Sequence, residues 1–239
     1  MKIECRRGYQ ALPSARERPI PGPPRGPDPR GCVRPRGPGP DARPYTLRGR
    51  DPGLRGGRPR DPPPPQGGVV FVGSSSIKNW TDVAADFPGV AALNRGFGGS
   101  TLADVVYHSD RIVLPYHPRL VVLYAGDNDL TLDRTPSRVV ADYRAFVAHL
   151  RSALPAARVA FVSIKPSPAR RAYLDRMRET NRRIPEDIAR DSLQAYVDVF
   201  TPMLDAAGQP RPELFGADSL HMTRAGYLLW RALLAPVVQ

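Results

Sequence analysis

Apolar positions fall into two regimes along this chain, and the change comes near residue 67. Up to that point nothing repeats at the helical or the strand period. Beyond it, short apolar runs alternate with longer amphipathic stretches. Val69-Val70-Phe71-Val72 reads as a buried strand running into Gly73, followed by a helix-like stretch through Trp80 and Val83 to Phe87. Val90-Ala91-Ala92-Leu93 is a second strand, and a helical run extends from about Leu102 to Val113. Leu120 to Tyr124 is a third strand, apolar on both faces. A long helix is predicted from about Pro136 to Leu154, because Val140, Tyr143, Phe146, Val147 and Leu150 recur at helical spacing. Val159 to Ile164 is the fourth strand, about Arg170 to Ala189 is helical, and Ala195 to Val199 is the fifth strand. Thr223 stands where it would cap a final helix running to about Leu234.

Strands that are apolar throughout, alternating with amphipathic helices, predict an α/β fold: a parallel sheet with helices on both faces. In such sheets the functional loops lie at the carboxyl ends of the strands. No internal repeat is visible.

Composition sharpens the division. Residues 1–66 hold 17 of the 29 prolines and 15 Lys and Arg against 6 Asp and Glu. They therefore carry +9 of the net +12, leaving +3 for residues 67–239. The strong positive charge describes the first segment and is no argument that the whole chain binds nucleic acid. Residues 1–66 are expected to be a disordered Pro/Gly/Arg-rich tail, since such a sequence cannot bury enough apolar surface to offset its ordering entropy. An Arg-rich arm meeting nucleic acid is the sharper alternative, weakened by the scarcity of aromatics for base stacking, Tyr9 and Tyr45 standing alone. A stretch translated ahead of the true start is a third. Residues 67–239 are expected to form one domain.

Both cysteines, Cys5 and Cys32, lie in the first segment, so no disulfide or cysteine-based metal site supports the second. The basic N-terminus is not followed by the apolar run of a secretory signal, and Arg6-Arg7 lack the one a twin-arginine signal needs. No stretch is long and apolar enough to span a membrane. A cytoplasmic location is the default expectation.

The chemistry-bearing residues follow the strands. Strand one ends in Gly73-Ser74-Ser75-Ser76-Ile77, where a hydroxyl can project above the sheet beside free N–H groups at a helix start. A serine-rich N-cap is the alternative. Strand two ends in Asn94-Arg95-Gly96-Phe97-Gly98-Gly99-Ser100; Thr101 stands where a dinucleotide fingerprint needs its third glycine, and no P-loop Lys follows. A plain turn explains the run equally well. Strand three ends in Gly126-Asp127-Asn128-Asp129. It is not a calcium loop, because Leu132 and Arg138 occupy the glycine and glutamate positions. An Asn there can donate to an oxyanion, or merely form an Asx turn. Asp218-Ser219-Leu220-His221 precedes the last helix; a carboxylate three residues before a histidine can fix the tautomer that leaves Nε2 free as a base. Taken together the four loops supply a nucleophile, a base, its orienting carboxylate and oxyanion donors at one sheet edge.

In that order the blocks resemble the SGNH or GDSL hydrolases, from about Pro62 to the C-terminus. Gly73-Ser74-Ser75 resembles the Gly-Asp-Ser block, Gly99 the second-block glycine, Gly126-Asp127-Asn128-Asp129 the Gly-x-Asn-Asp block, and Asp218-x-x-His221 the last. The first block is similar to that of a bacterial subgroup reading Gly-Ser-Ser-Ser-Ile. The resemblance implies a flavodoxin-like three-layer α/β/α sandwich around a five-stranded parallel sheet. It implies a triad of Ser75, Asp218 and His221, and an oxyanion hole from the N–H groups of Ser75 and Gly99 and the Asn128 side chain. Ser74 replaces the usual Asp, which in the family orders the oxyanion region; here Ser74 is expected to support the loop and Ser76 to start the helix. The implied activity is hydrolysis of carboxylic esters, with no cofactor and no metal, on a small-molecule ester. Acetylated carbohydrates, lysophospholipids and thioesters are all within range, and the absence of a recognisable lid favours short acyl groups. Acyl transfer at the same site, or a non-catalytic domain with a nucleic-acid-binding tail, are the alternatives. Asp127 and Asp129 are expected to order their loop, and His108, His117 and His149 to be structural.

Overall fold

A computed structural model of the chain describes residues 66–239. The expectations for the proline- and arginine-rich segment and its two cysteines fall outside the described residues. Five strands form one parallel sheet: β1 (Val69–Gly73), β2 (Ala92–Gly96), β3 (Leu120–Tyr124), β4 (Arg158–Val162) and β5 (Gln194–Val197). They lie in the order β2-β1-β3-β4-β5. Among the described residues the α-helices are α1 (Ser75–Lys78), α2 (Val83–Asp86), α3 (Leu102–Ile112), α4 (Asp127–Thr131), α5 (Pro136–Ala153), α6 (Leu174–Ile188) and α7 (Arg224–Val238).

Period-two alternation divides the strands between two apolar layers. Val70, Val72, Val121, Leu123, Val159 and Phe161 face α3, α5 and α6. Val69, Phe71, Leu120, Val122, Tyr124 and Ala160 face the other way, against Ile77, Trp80 and the α7 residues Trp230 and Leu234. β1, β3 and β4 are covered on both faces, which is why they read as unbroken apolar runs. The result is the three-layer α/β/α sandwich expected, wound in the flavodoxin-like order with its switch point between β1 and β3.

Local chemistry sets the helix starts. Thr101 and Asp104 form a reciprocal capping box at α3, and Thr135 caps α5 with Pro136 following. Thr223 occupies the N-cap position of α7, but its hydroxyl donates to the Glu213 carbonyl (3.3 Å) and makes no cap.

β4 stops at Val162 rather than Ile164, the stretch expected through Trp80 to Phe87 splits into α1 and α2, and α7 runs on to Val238. Three further displacements have a visible cause. β2 lies further along than Val90 to Leu93 and includes Asn94, Arg95 and Gly96, which the pattern gave to a loop. It is an edge strand hydrogen-bonded only to β1, so half-buried polar residues are tolerated there. The Asn94 side chain also ties the strand down. Its Nδ2 donates to the carbonyls of Ile77 (2.6 Å) and Trp80 (3.0 Å), stapling β2 to α1 and the turn after it. The helical run expected from Arg170 begins as a 3-10 turn, Pro168–Tyr173, with α6 starting only at Leu174. β5 ends at Val197, two residues early, because Asp198 accepts from the N–H groups of Phe200 (2.9 Å) and Thr201 (3.1 Å) and turns the chain away.

The register places Gly73 beside Tyr124 of β3. With φ of 140°, Gly73 would carry a Cβ only 1.7 Å from the Tyr124 carbonyl oxygen. Backbone cannot yield there as a flexible side chain could. Gly73→Ala is therefore expected to destabilise the fold by about 3 kcal/mol or more, read as a lowered urea midpoint or loss of soluble protein. An unchanged midpoint would mean that this register is wrong.

Candidate active site

Beyond Gly73 the chain turns from strand to helix within two residues. Ser74 N–H donates to the Tyr124 carbonyl, and the Ser74 carbonyl accepts from the N–H groups of Ile77 and Lys78, each at 3.0 Å. Ser74 thus supports the turn through its backbone; its buried hydroxyl has no hydrogen-bond partner among the described residues. That corrects any picture in which the hydroxyl replaces a family carboxylate. Ser75, first residue of α1, is partly exposed, and its N–H has no acceptor within the helix. The helix is held from below by Ile77 and by the Tyr227 hydroxyl, which donates to the Ser76 carbonyl (3.0 Å).

Ser75 Oγ lies 3.0 Å from His221 Nε2, and His221 Nδ1 lies 2.6 Å from Asp218 Oδ2. The other carboxylate oxygen of Asp218 accepts from the backbone N–H of Leu220 (3.0 Å) and of His221 (2.9 Å). The Leu220 N–H, then the His221 ring and N–H, hold this carboxyl well below the usual range although it is exposed. An ionised carboxylate only accepts, so Nδ1 carries the ring proton and Nε2 offers its lone pair to the Ser75 hydroxyl.

The loop carrying this pair is tightly set. Ser219 adopts the left-handed φ of 55°, its N–H donates to the Gly216 carbonyl, and Gly216 N–H donates to the His221 carbonyl, both at 2.8 Å. From the segment after β4, Ala169 N–H donates to the Ser219 carbonyl (3.0 Å) and Lys165 Nζ to the Leu220 carbonyl (3.1 Å). Just beyond, Arg224 Nη1 donates to Asp86 Oδ2 (2.7 Å), which fastens the start of α7 to α2.

The two remaining predicted residues are brought together. Asn128, in the first turn of α4, is buried, and its Nδ2 donates to the Ser100 carbonyl at 2.9 Å, one residue beyond Gly99. Gly99 has φ of 72° and open space where a Cβ would stand. Asn128 Oδ1 accepts from Arg170 Nη2 (2.7 Å), while Arg170 Nη1 pairs with Asp127 Oδ2 (2.6 Å). Lys165, 1% exposed, stands 3.7 Å from the same Asp127 oxygen, and burial pushes its ammonium pKa down. Asp129 is fully buried and accepts from Leu102 N–H at the start of α3 (3.1 and 3.3 Å).

Lys165 and Arg170 escaped the sequence reading, as did Asn94 and Tyr227. A lysine directly after an apolar strand, at the carboxyl edge, was the available signal for Lys165. Nothing distinguished Arg170 from its surface neighbours. The other histidines have partners elsewhere: His108 packs edge-on to Phe97 beside Arg111, His117 forms the left-handed turn before β3, and His149 meets Asp110 at 2.7 Å. Among the described residues, no group of three His, Cys, Asp or Glu is arranged to hold a metal, and no helix is long and apolar enough to cross a membrane.

A parallel sheet with a serine, histidine and carboxylate at its switch-point edge defines a hydrolase architecture. The sequence profile of the GDSL-like Lipase/Acylhydrolase family matches residues 66–229, and the chain belongs to that family: it is a serine hydrolase of the SGNH/GDSL type. Solved structures share the fold. A Streptococcus pneumonia protein provisionally named for platelet activating factor superposes with a TM-score of 0.66 at 20% identity, covering 73% of this chain and 85% of that one. A GDSL-like lipase from Bacteroides thetaiotaomicron gives 0.61 at 24%, covering 71% and 86%. The lipase/acylhydrolase from Enterococcus faecalis gives 0.57 at 22%, covering 72% and 94%. No curated protein matches the sequence.

Burial, outweighing the Leu102 N–H and the Arg134 charge, raises the Asp129 pKa from 3.8 to about 7. A carboxyl that binds its proton more tightly when folded favours folding below pH 4, and that advantage fades as pH rises through about 7. The urea midpoint is expected to fall over this window more steeply in the native protein than in Asp129→Asn. Identical pH profiles would mean that burial does not outweigh the Leu102 N–H and the Arg134 charge at Asp129.

Proposed function

We propose that the protein hydrolyses short-acyl carboxylic esters through a covalent intermediate on Ser75, with His221 as general base, Asp218 as its orienting partner, and Ser75 N–H, Gly99 N–H and Asn128 Nδ2 as oxyanion donors. The observation that carries this reading is the relay from Ser75 Oγ to His221 Nε2 at 3.0 Å and from His221 Nδ1 to Asp218 Oδ2 at 2.6 Å.

His221 Nε2 accepts the Ser75 proton as Oγ bonds to the acyl carbon, and the carbonyl electron pair moves to oxygen. Collapse of this tetrahedral species expels the alcohol, which takes the proton from Nε2. Water then enters, gives its proton to Nε2, and attacks the acyl carbon; Ser75 leaves with the proton and the carboxylic acid is released. The Asn128 amide supports the oxyanion role because one of its two N–H groups is engaged by Ser100, leaving the second. Asp218 stays ionised and stabilises the imidazolium.

Preference for short acyl groups is supported by the surface. Among the described residues the large exposed apolar side chains are Tyr107, Leu132 and Leu228, on three separate stretches of the chain and none of them within the Ser75 or His221 loops. Ser75 and His221 are partly exposed, so water reaches the site and favours hydrolysis over transfer to another alcohol.

A fluorophosphonate probe and a p-nitrophenyl ester series of increasing chain length test the reading. Ser75→Ala is expected to abolish labelling and turnover, whereas Ser74→Ala and Ser76→Ala keep labelling. Retained labelling in Ser75→Ala would move the nucleophile to another residue, and turnover rising with chain length would overturn the short-acyl preference. Asn128→Ala is expected to lower kcat by a factor on the order of 10²–10³, as for one lost oxyanion donor, with little change in the urea midpoint. Unchanged kcat would remove Asn128 from the oxyanion hole.

A further inference from the structure

Asn128 presents a planar amide whose two ends have the same shape and opposite hydrogen-bonding character. Only the nitrogen end can donate to an oxyanion, so the amide's orientation decides whether the residue helps or harms the reaction. Two contacts decide it here. Arg170 Nη2, which can only donate, lies 2.7 Å from Oδ1, and the Ser100 carbonyl, which can only accept, lies 2.9 Å from Nδ2. A flipped amide would set its NH₂ against a guanidinium and its oxygen against a carbonyl.

The guanidinium itself is fixed. Its Nη1 arm pairs with Asp127 at 2.6 Å, and its side chain is only 14% exposed. Arg170 sits at a kink in the 3-10 turn after β4, with φ of −117° and ψ of 26°, and the preceding Ala169 N–H holds the Ser219 carbonyl beside His221. Nη2 is thus engaged by Asn128, while Nη1 faces Asp127 as an ion pair without a hydrogen bond, so the guanidinium is held between two groups of the Asp127-Asn128 turn. A cation on Oδ1 also polarises the amide and strengthens the remaining Nδ2–H as a donor.

We infer that Arg170 is a positioning residue for the reaction: it locks the Asn128 amide with its nitrogen toward the acyl oxygen and sharpens it as a donor. This rests on the oxyanion role proposed for Asn128.

A double-mutant cycle on the full chain tests it, with p-nitrophenyl acetate as substrate and four proteins: native, Asn128→Ala, Arg170→Ala and the double variant. Arg170→Ala is expected to lower kcat about tenfold, with KM changed less than about twofold. In the Asn128→Ala background, removing Arg170 should change kcat by less than about twofold, because the group it orients is gone. Added guanidinium should restore part of the activity of Arg170→Ala and none of the double variant's. Should Arg170→Ala fail to fold, Arg170→Lys carries the same cycle: it keeps the charge beside Asp127 but has no fork to span both partners. Fully additive losses, or a raised KM with unchanged kcat, would overturn the inference while leaving Asn128 as a donor. An Asn128→Ala variant with native kcat would overturn both readings.

Discussion

Where β1 meets β3, the Cα of Gly73 lies against the Tyr124 carbonyl with no room for a side chain, and the next N–H donates to that same carbonyl. This close approach ends β1 and starts α1 within two residues, and it does so at the switch point of the sheet, where loops after neighbouring strands diverge and leave a crevice. Ser75 is carried up at that crevice, and Asn128 arrives from the strand next door. Any side chain at position 73 would push β1 and β3 apart and separate the proposed nucleophile from the proposed oxyanion donor. The catalytic reading therefore depends first on a backbone contact.

Around the crevice, exposed and buried charges act differently. Asp218 is half exposed and is kept ionised by two backbone N–H groups and the His221 ring, all contributed by its own loop. Asp127, Lys165 and Arg170 are buried or nearly so; the one carboxylate faces both cationic groups, and burial pushes the Lys165 ammonium pKa down. Segment 165–170 holds none of the proposed catalytic groups, yet it touches the His221 loop through Lys165 and Ala169 and the Asn128 loop through Arg170. It therefore contacts both the loop of the proposed base and the turn of the proposed oxyanion donor.

How much of this was legible in the sequence depended on whether a residue's partner lay nearby along the chain. Buried strands such as Leu120–Tyr124 stand out because both faces are apolar. Asp218 and His221 are three residues apart, so their coupling could be read directly, and the glycines at 73 and 99 stand where turns require them. Edge strand β2 was misplaced because a strand with one neighbour need not be apolar, and Asn94 looked like a loop residue while serving as a staple to α1. Arg170 was invisible for a different reason. Its partners lie about 42 positions away, and its sequence neighbour Arg171 is an exposed arginine of the same type. Ser74 shows the limit of block matching: the position is shared with the family, but the hydroxyl makes no hydrogen bond and the support comes from the backbone.

The central claim is that an acyl group passes through Ser75, and the most direct measurement is to catch it there. Protein mixed with p-nitrophenyl acetate and quenched in acid within the first turnover should carry one acetyl group by intact mass, and peptide mapping should put it on Ser75. Nitrophenol release with no acetyl on the protein, or an acetyl mapped to Ser74, Ser76 or any other residue, would contradict the account.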